Sequence, residues 1–254
     1  MSHSFLNLEH LPHHEKIAKM SDPTVIKENI RKAYNEIADT YLEWTTRSHP
    51  VRLSHLNALL KAMDSESDST PTPGPDSNSI NILELGCGAG VPCTQVLAAR
   101  ANTTVTANDI SDTQIALAKT RLPANTTLIQ GDMMALSFED GSFDAVIAMY
   151  SIIHLPRTEQ TELLRRIGRW LKVGGRFLGN FSEAGFEGSV KSDWLGGSEG
   201  EMYWSGWGRE EIGRILREEG FQIEVDEVVV DVEVDGDGGV GRDVPFNWIR
   251  ARKI

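Results

Sequence analysis

The sequence predicts an α/β fold: a mostly parallel sheet covered by helices on both faces, preceded by a helical cap and closed by one reversed strand. Three observations carry this. From Ile80 onward, short apolar runs bounded by turn residues alternate with stretches of helical period, the pattern of βα units. The first of these runs passes into a helix through a glycine-rich turn, LELGCGAG at 83–90. Near the end, two alternating segments flank the turn GDGGVG at 236–241, the signature of an antiparallel hairpin.

The elements follow in order. Residues 1–21 read as a flexible start. They hold His3, His10, His13 and His14, without a Cys or carboxylate at a recognised zinc spacing, so no metal site is expected. Asp22 and Pro23 supply an N-cap and a first-turn proline, and Ile26, Ile30, Ala33, Ile37 and Tyr41 draw one apolar stripe. A second amphipathic piece carries Leu53, Leu56, Leu59, Leu60 and Met63. The stretch 64–79, DSESDSTPTPGPDSNS, offers nothing for a core and reads as a flexible linker. Two helices make a thin domain, so the cap at 22–63 is expected to pack on the core at 80–254 as one domain.

Within the core, INILEL (80–85) reads as a buried strand and VPCTQVLAARA as a helix. TVTAN (104–108) is the second strand, followed by the helix SDTQIALAKTRL, opened by Ser111 or Asp112. TTLIQ (126–130) and FDAVIAMY (143–150) are further strands. The next helix sets Leu163, Ile167, Trp170 and Leu171 on one face, and LKVGG turns into a fifth strand, RFLGNF. In the tail Phe221, Ile223 and Val225 alternate, then Val228, Val230, Val232 and Val234 do so in a new register. Val244, Phe246 and Trp248 alternate after the turn.

Composition narrows the function. With 40% hydrophobic and 24% charged residues, the chain is an ordinary globule, and no run nears the roughly 18 apolar residues of a membrane span. The first residues lack the basic and apolar regions of a signal peptide. Cys87 and Cys93 make no disulfide framework, so a reducing, cytoplasmic location is expected. A net charge of −12 repels phosphates and argues against nucleic acid or membrane as partner. A small-molecule partner remains; oligomeric state is not legible.

The glycine turn is the most informative segment. Gly86, Gly88 and Gly90 let the backbone turn sharply and approach a ligand, and the helix behind presents free N–H groups. The nicotinamide fingerprint G-x-G-x-x-G would need its third glycine where Val91 stands, and no Gly-Lys-Ser/Thr marks a Walker loop. Glu84, just before the turn, is unfavourable beside a pyrophosphate and favourable beside an ammonium or sulfonium group. Asp109, ending the second strand, can accept two ribose hydroxyls; Asp132, after the third, can meet an exocyclic amine, with Ile110 and Met133 as apolar faces for a purine.

The runs ILELGCGAG, VTANDIS, QGDMMALSFEDGSFDAVIAMYSIIHL and RWLKVGGRFL resemble the class I S-adenosylmethionine-dependent methyltransferases, and within them the small-molecule branch that includes ubiquinone-biosynthesis enzymes. The resemblance implies a Rossmann-like sheet of seven strands in order 3-2-1-4-5-7-6, strand seven antiparallel, and S-adenosyl-L-methionine as cofactor. It implies that Glu84, Gly86, Cys87 and Gly88 line the methionine end, that Asp109 takes the ribose, that Ile110 and Met133 sandwich the adenine, and that Asp132 holds its amino group. Ala148 and Met149 would face the methionine part and the acceptor, and Tyr34 and Tyr41 would close over the cofactor from the cap. Asn108 departs from the pattern, standing where an apolar residue is more usual.

Methyl transfer depends on holding the nucleophile in line and excluding water. Tyr41, Trp44 and Tyr150 are candidates to face a sulfonium by cation–π attraction, each with a core role as its plain alternative. His154 is the first candidate for a general base, ahead of His49 and Glu183; the plain alternative is a packing histidine. The segment 182–207 is expected to select the acceptor, with Trp194, Tyr203, Trp204 and Trp207 either walling an apolar or aromatic substrate or anchoring a loop. Asp231, Glu233, Asp235 and Gly236 imitate a calcium loop, but Arg242 stands where its bidentate Glu would be. The expected function is methyl transfer to an apolar or aromatic small molecule. Two alternatives stay open: a cyclisation or rearrangement that uses the bound cofactor without methyl transfer, and a non-catalytic cofactor-binding module.

Overall fold

A computed structural model describes residues 22–67, 79–233 and 241–254. The histidines at 3, 10, 13 and 14, most of the linker, and all but the last residue of the 236–241 turn, with Val234 and the end of the calcium-like run, lie outside the described residues.

The cap is helical, as its stripe predicts. Helix α1 spans Pro23–Glu36, with the Asp22 side chain accepting from the Thr24 N–H at 2.8 Å. The stripe is interrupted at Ile37, which is non-helical, and resumes in α2 (Ala38–Trp44). After one turn of 3-10 helix, α3 spans His49–Ser67, so it continues past Met63 into the Ser- and Asp-rich stretch.

The core consists of β1 (Ile80–Leu85), α4 (Cys93–Ala98), β2 (Thr103–Asp109), α5 (Asp112–Arg121), β3 (Thr127–Gln130), β4 (Phe143–Ala148), α6 (Arg157–Trp170), β5 (Leu171–Ser182), β6 (Gly185–Lys191), β7 (Met202–Trp207), α7 (Arg209–Glu218), β8 (Phe221–Glu233) and β9 (Arg242–Lys253). The main sheet has seven strands in order β3-β2-β1-β4-β5-β9-β8, with β9 antiparallel to both neighbours. Numbered within this sheet alone, that is the expected 3-2-1-4-5-7-6. Ser111 is the N-cap of α5, its hydroxyl accepting from the Gln114 N–H at 3.1 Å.

Two corrections concern the strands. LKVGG is not a free turn: β5 starts at Leu171 directly after α6, and its pairing with β4 slips between Phe143 and Ala145, with Gly174 at φ +83°. The 182–207 segment is not an irregular loop, because β6 and β7 form a separate antiparallel hairpin. In the tail, the β8–β9 pairing slips between Ile223 and Val225, just ahead of the change of register read there.

Strand alternation divides the core between two layers. Leu83, Leu85, Val146, Ala148, Phe177 and Phe181 pack with Leu163, Ile167 and Trp170 of α6 and Ile212 and Leu216 of α7. Ile82, Ala145, Ile147, Leu178 and Trp248 face the other way, onto Leu56 and Leu59 of α3, Leu97 of α4 and Ile115 of α5. Among the described residues no helix is long and apolar enough to cross a membrane.

Candidate active site

The glycine turn, the carboxyl ends of β1, β2 and β4, and the cap enclose one cavity. Its wall includes Gly86, Cys87, Gly88 and Val91 from the turn, Asp109, Ile110 and Gln114 beyond β2, and Asp132 and Met133 beyond β3. Met149, Tyr150, Ser151 and His154 follow β4, and the cap adds Lys27, Tyr34, Tyr41 and Arg52. The turn is held from behind: the Gly86 and Cys87 N–H groups donate to the Asn108 carbonyl at 2.8 and 2.9 Å. Asn108 itself is fully buried, and its amide donates to the Ile129 and Gly131 carbonyls. Its polarity, odd by family pattern, ties the end of β3 to β2.

Most of the residues expected to hold the cofactor lie together here. Asp109 accepts from the Gly88 N–H at 2.8 Å and the Ser111 N–H at 2.9 Å, and burial pushes its carboxyl up to about 6. Glu84 lies behind the wall, on the face of β1 shared with Ile82. It is 5% exposed, its Oε2 has no partner, and burial raises its carboxyl to about 7. Ala148 is a correction. Alternation turns it, with Val146, into the α6–α7 layer, and of the expected pair Met149 alone lines the cavity. Asp132 lines the cavity but is already engaged, accepting from the Met134 N–H at 2.8 Å and pairing with Lys27 at 2.7 Å.

A second cavity of about 370 Å³ adjoins the first. Trp44, Val51, Ile153, Trp194, Trp204 and Phe246 give it apolar walls, and Arg47, Asp231 and Glu233 add charge. Trp194 sits at the centre of a ring cluster, 5.5 Å from Trp44, 5.6 Å from Trp204 and 5.7 Å from Tyr41 between centroids. Of the four aromatics expected to wall an acceptor, Trp194 and Trp204 line this second cavity. Tyr203 instead packs on Ile26 and Ile30 of α1, and the Trp207 indole donates to the Arg157 carbonyl. His49 and Glu183 are on neither wall.

Tyr34, Tyr41, Arg52, Tyr150 and His154 line both cavities and form the passage between them. His154 Nδ1 lies 2.7 Å from the Tyr203 carbonyl, which can only accept, so this nitrogen carries the proton. Nε2 therefore accepts from the Tyr34 hydroxyl, at 2.9 Å. Burial lowers the imidazole to about 4, which keeps it neutral. Tyr150 adopts φ +54°, its N–H donating to Asn180 Oδ1 and its hydroxyl to Asp231 Oδ2, both at 2.6 Å. The Arg52 guanidinium lies 4.4 Å from the Tyr150 ring centroid, and its Nε donates to Ser48 Oγ at 3.0 Å.

Sequence reasoning did not single out Arg52, Gln114 or Lys27. Arg52 and Lys27 sit among apolar helix positions, where a long polar side chain reads as a solvated edge. The position of Gln114, one turn into the helix after Asp109, was the available signal. Its side-chain amide is buried on this wall with neither polar atom partnered. Together with the buried, partnerless Ser151 Oγ, it gives the first cavity polar groups for a bound ligand to satisfy. Among the described residues no group of three or more His, Cys, Asp or Glu side chains is placed to hold a metal ion.

Residues 82–175 match the family described as methyltransferase domain. The chain is 29% identical over 153 residues to a sterol 24-C-methyltransferase of Gibberella zeae, covering 58% of this chain and 40% of that protein. It is 34% identical over 99 residues to the methyltransferase GfsG of Streptomyces halstedii, covering 37% and 34%. The matches thus span well under half of these curated relatives. In fold it is similar to magnesium protoporphyrin IX methyltransferase from Synechocystis, solved with bound S-adenosylmethionine, at a TM-score of 0.57 and 16% identity over 90% of this chain and 97% of that one.

Proposed function

Because residues 82–175 match a methyltransferase domain, we propose that the chain is a class I S-adenosylmethionine-dependent methyltransferase that transfers the cofactor's methyl group to a small apolar or aromatic acceptor. The observation that carries this reading is the pair of cavities joined through Tyr34, Tyr41, Arg52, Tyr150 and His154. A donor in one and an acceptor in the other meet at that passage, screened from water by the cap.

The residues of the first cavity fit the cofactor. Bound there, S-adenosylmethionine supplies a methyl group activated by a sulfonium. Asp109 would accept the ribose hydroxyls, Ile110 and Met133 would cover the purine, and Asp132 would meet its amine. The unpartnered Gln114 amide would find its partners on the cofactor. The Glu84 carboxylate and the faces of Tyr41 and Tyr150 would stabilise positive charge near the passage. A proton leaving the acceptor toward His154 has to pass through the Tyr34 hydroxyl, because that hydroxyl occupies Nε2.

Parallel calorimetric titrations with S-adenosylmethionine, S-adenosylhomocysteine and NAD test the cofactor. Binding of the first two and not the third is expected; binding of NAD alone would overturn the reading. Release of S-adenosylhomocysteine in step with a methylated product then separates transfer from a role in which the cofactor is retained unchanged.

A further inference from the structure

Arg52 is the unusual cation of this fold. Several other cations removed from solvent are met by carboxylates: Lys27 by Asp132 and Glu159, Arg176 and Arg250 by Glu224. Among the described residues no carboxylate lies within ion-pair distance of Arg52; it bonds to the Ser48 and Tyr41 hydroxyls and lies against the Tyr150 ring, with the buried Glu84 acting on it from farther away. A buried guanidinium without an anion is expensive, and the cost is recovered when one arrives. It also stands in the passage, open to both cavities.

The surroundings say what kind of anion fits. The acceptor cavity is walled by Trp44, Trp194 and Trp204, and a second arginine, Arg47, lies on that wall 5.2 Å from the Trp44 ring centroid. Of its two acids, Asp231 accepts from the Tyr150 hydroxyl and Glu233 pairs with Arg242, so neither is bonded to Arg52 or Arg47.

We propose that the acceptor is a planar, aromatic compound bearing an anionic oxygen, a carboxylate or a phenolate, and that Arg52 holds this oxygen at the passage. The proposal rests on the methyltransferase reading and adds the acceptor class to it. The ionised oxygen bonds to the methyl carbon while the carbon–sulfur bond breaks and its electron pair returns to sulfur. No proton moves in that step. The absence of a free base accords with this, since both ring nitrogens of His154 are engaged. Opposite charges are consumed in the step, which a low-dielectric passage favours.

The test titrates the protein, saturated with S-adenosylhomocysteine, with sodium 2-naphthoate and with its neutral counterpart 2-naphthamide. The acid is expected to bind at least about tenfold more tightly than the amide. Arg52→Met is expected to lower that preference by at least about tenfold, with S-adenosylhomocysteine still bound. Equal binding of acid and amide by the wild type, or no binding of either, overturns the proposal without any variant. An Arg52→Met protein that keeps the preference but loses S-adenosylhomocysteine also overturns it, assigning Arg52 to the cofactor's own carboxylate. If the wild type does not bind S-adenosylhomocysteine at all, the methyltransferase reading fails first.

Discussion

The Tyr34 hydroxyl, on the cap, donates to His154 Nε2 beyond β4 across 2.9 Å, and so joins two parts of the chain far apart in sequence. The rings also meet edge to face, with centroids 5.5 Å apart. Tyr34→Phe keeps the ring contact and removes the donor, leaving Nε2 buried without a partner. The expected cost is about 1–3 kcal/mol of folding stability, read from urea unfolding of the two proteins. A variant as stable as the parent would show that water or another donor serves His154.

Cofactor affinity should depend on pH, with a definite sign. Burial raises Asp109 to about 6 and Glu84 to about 7. Ribose hydroxyls donating to Asp109 and a sulfonium near Glu84 both favour the ionised carboxyls, so binding expels any proton they hold. Affinity is then full above about 7 and falls as pH drops through 6. S-adenosylhomocysteine has no sulfonium, so its affinity should fall less. In the ligand-free protein the sign reverses: these carboxyls have folded pKa values above the unfolded ones, so the stability they give is present below about 4 and is lost as pH rises through 6 to 7. Calorimetry across this range checks the binding arm. Asp109→Asn keeps an oxygen for the Gly88 N–H and should lose both the Asp109 part of the pH dependence and most of the affinity.

Two glycines of the same turn should answer differently to alanine. A Cβ at Gly86 would lie 2.3 Å from the Ser151 Cβ, at φ +74°, and the backbone behind it is pinned to Asn108. At Gly88 the φ of +55° is also left-handed, but a Cβ would meet only Gln114 Oε1, at 3.7 Å. Gly88→Ala should therefore cost about 1–2 kcal/mol, the backbone term alone. Gly86→Ala should cost more than that, and comparison of the two melting temperatures decides it.

What the sequence reveals here follows from which signals are local. The sheet order, the Asp22 and Ser111 caps and the glycine turn rest on short patterns with one physical reading each, and the structure has them. The slip that opens β5 is different: LKVGG looks like a turn because its glycines serve a bulge, which depends on pairing with β4. The β6–β7 hairpin is hidden for the opposite reason, its Gly-rich strands lacking alternation. Ala148 shows the limit of carrying a role by motif, since one position along a strand decides which layer a side chain enters. Arg52 and Gln114 matter only because helices bring them to a cavity, and no spacing announces that.

Lys27 gives the last prediction, because it fastens the cap to the far end of the cofactor cavity. Its ammonium lies 2.7 Å from Asp132 and 2.9 Å from Glu159, and Asp132 is the acid assigned to the cofactor's purine amine. The rest of α1 is held by polar contacts nearer the surface: Asn35 accepts from the Ser111 hydroxyl at 2.6 Å, and Glu36 accepts from the Ser198 and Glu199 N–H groups at 2.7 and 2.6 Å. The exposed Glu36 contacts contribute little each, whereas the partly buried Lys27 would leave two carboxylates facing one another if removed. Lys27→Met should therefore loosen α1 more than Glu36→Gln does. Hydrogen exchange of the α1 amides should quicken in the first variant and change little in the second. The dissociation rate of S-adenosylhomocysteine should rise with it, by about tenfold for each 1.4 kcal/mol of closure lost. Unaltered exchange in α1 would mean that the cap is held by its apolar face, through Ile26, Ile30 and Ala33, and that the ion pair serves the purine alone.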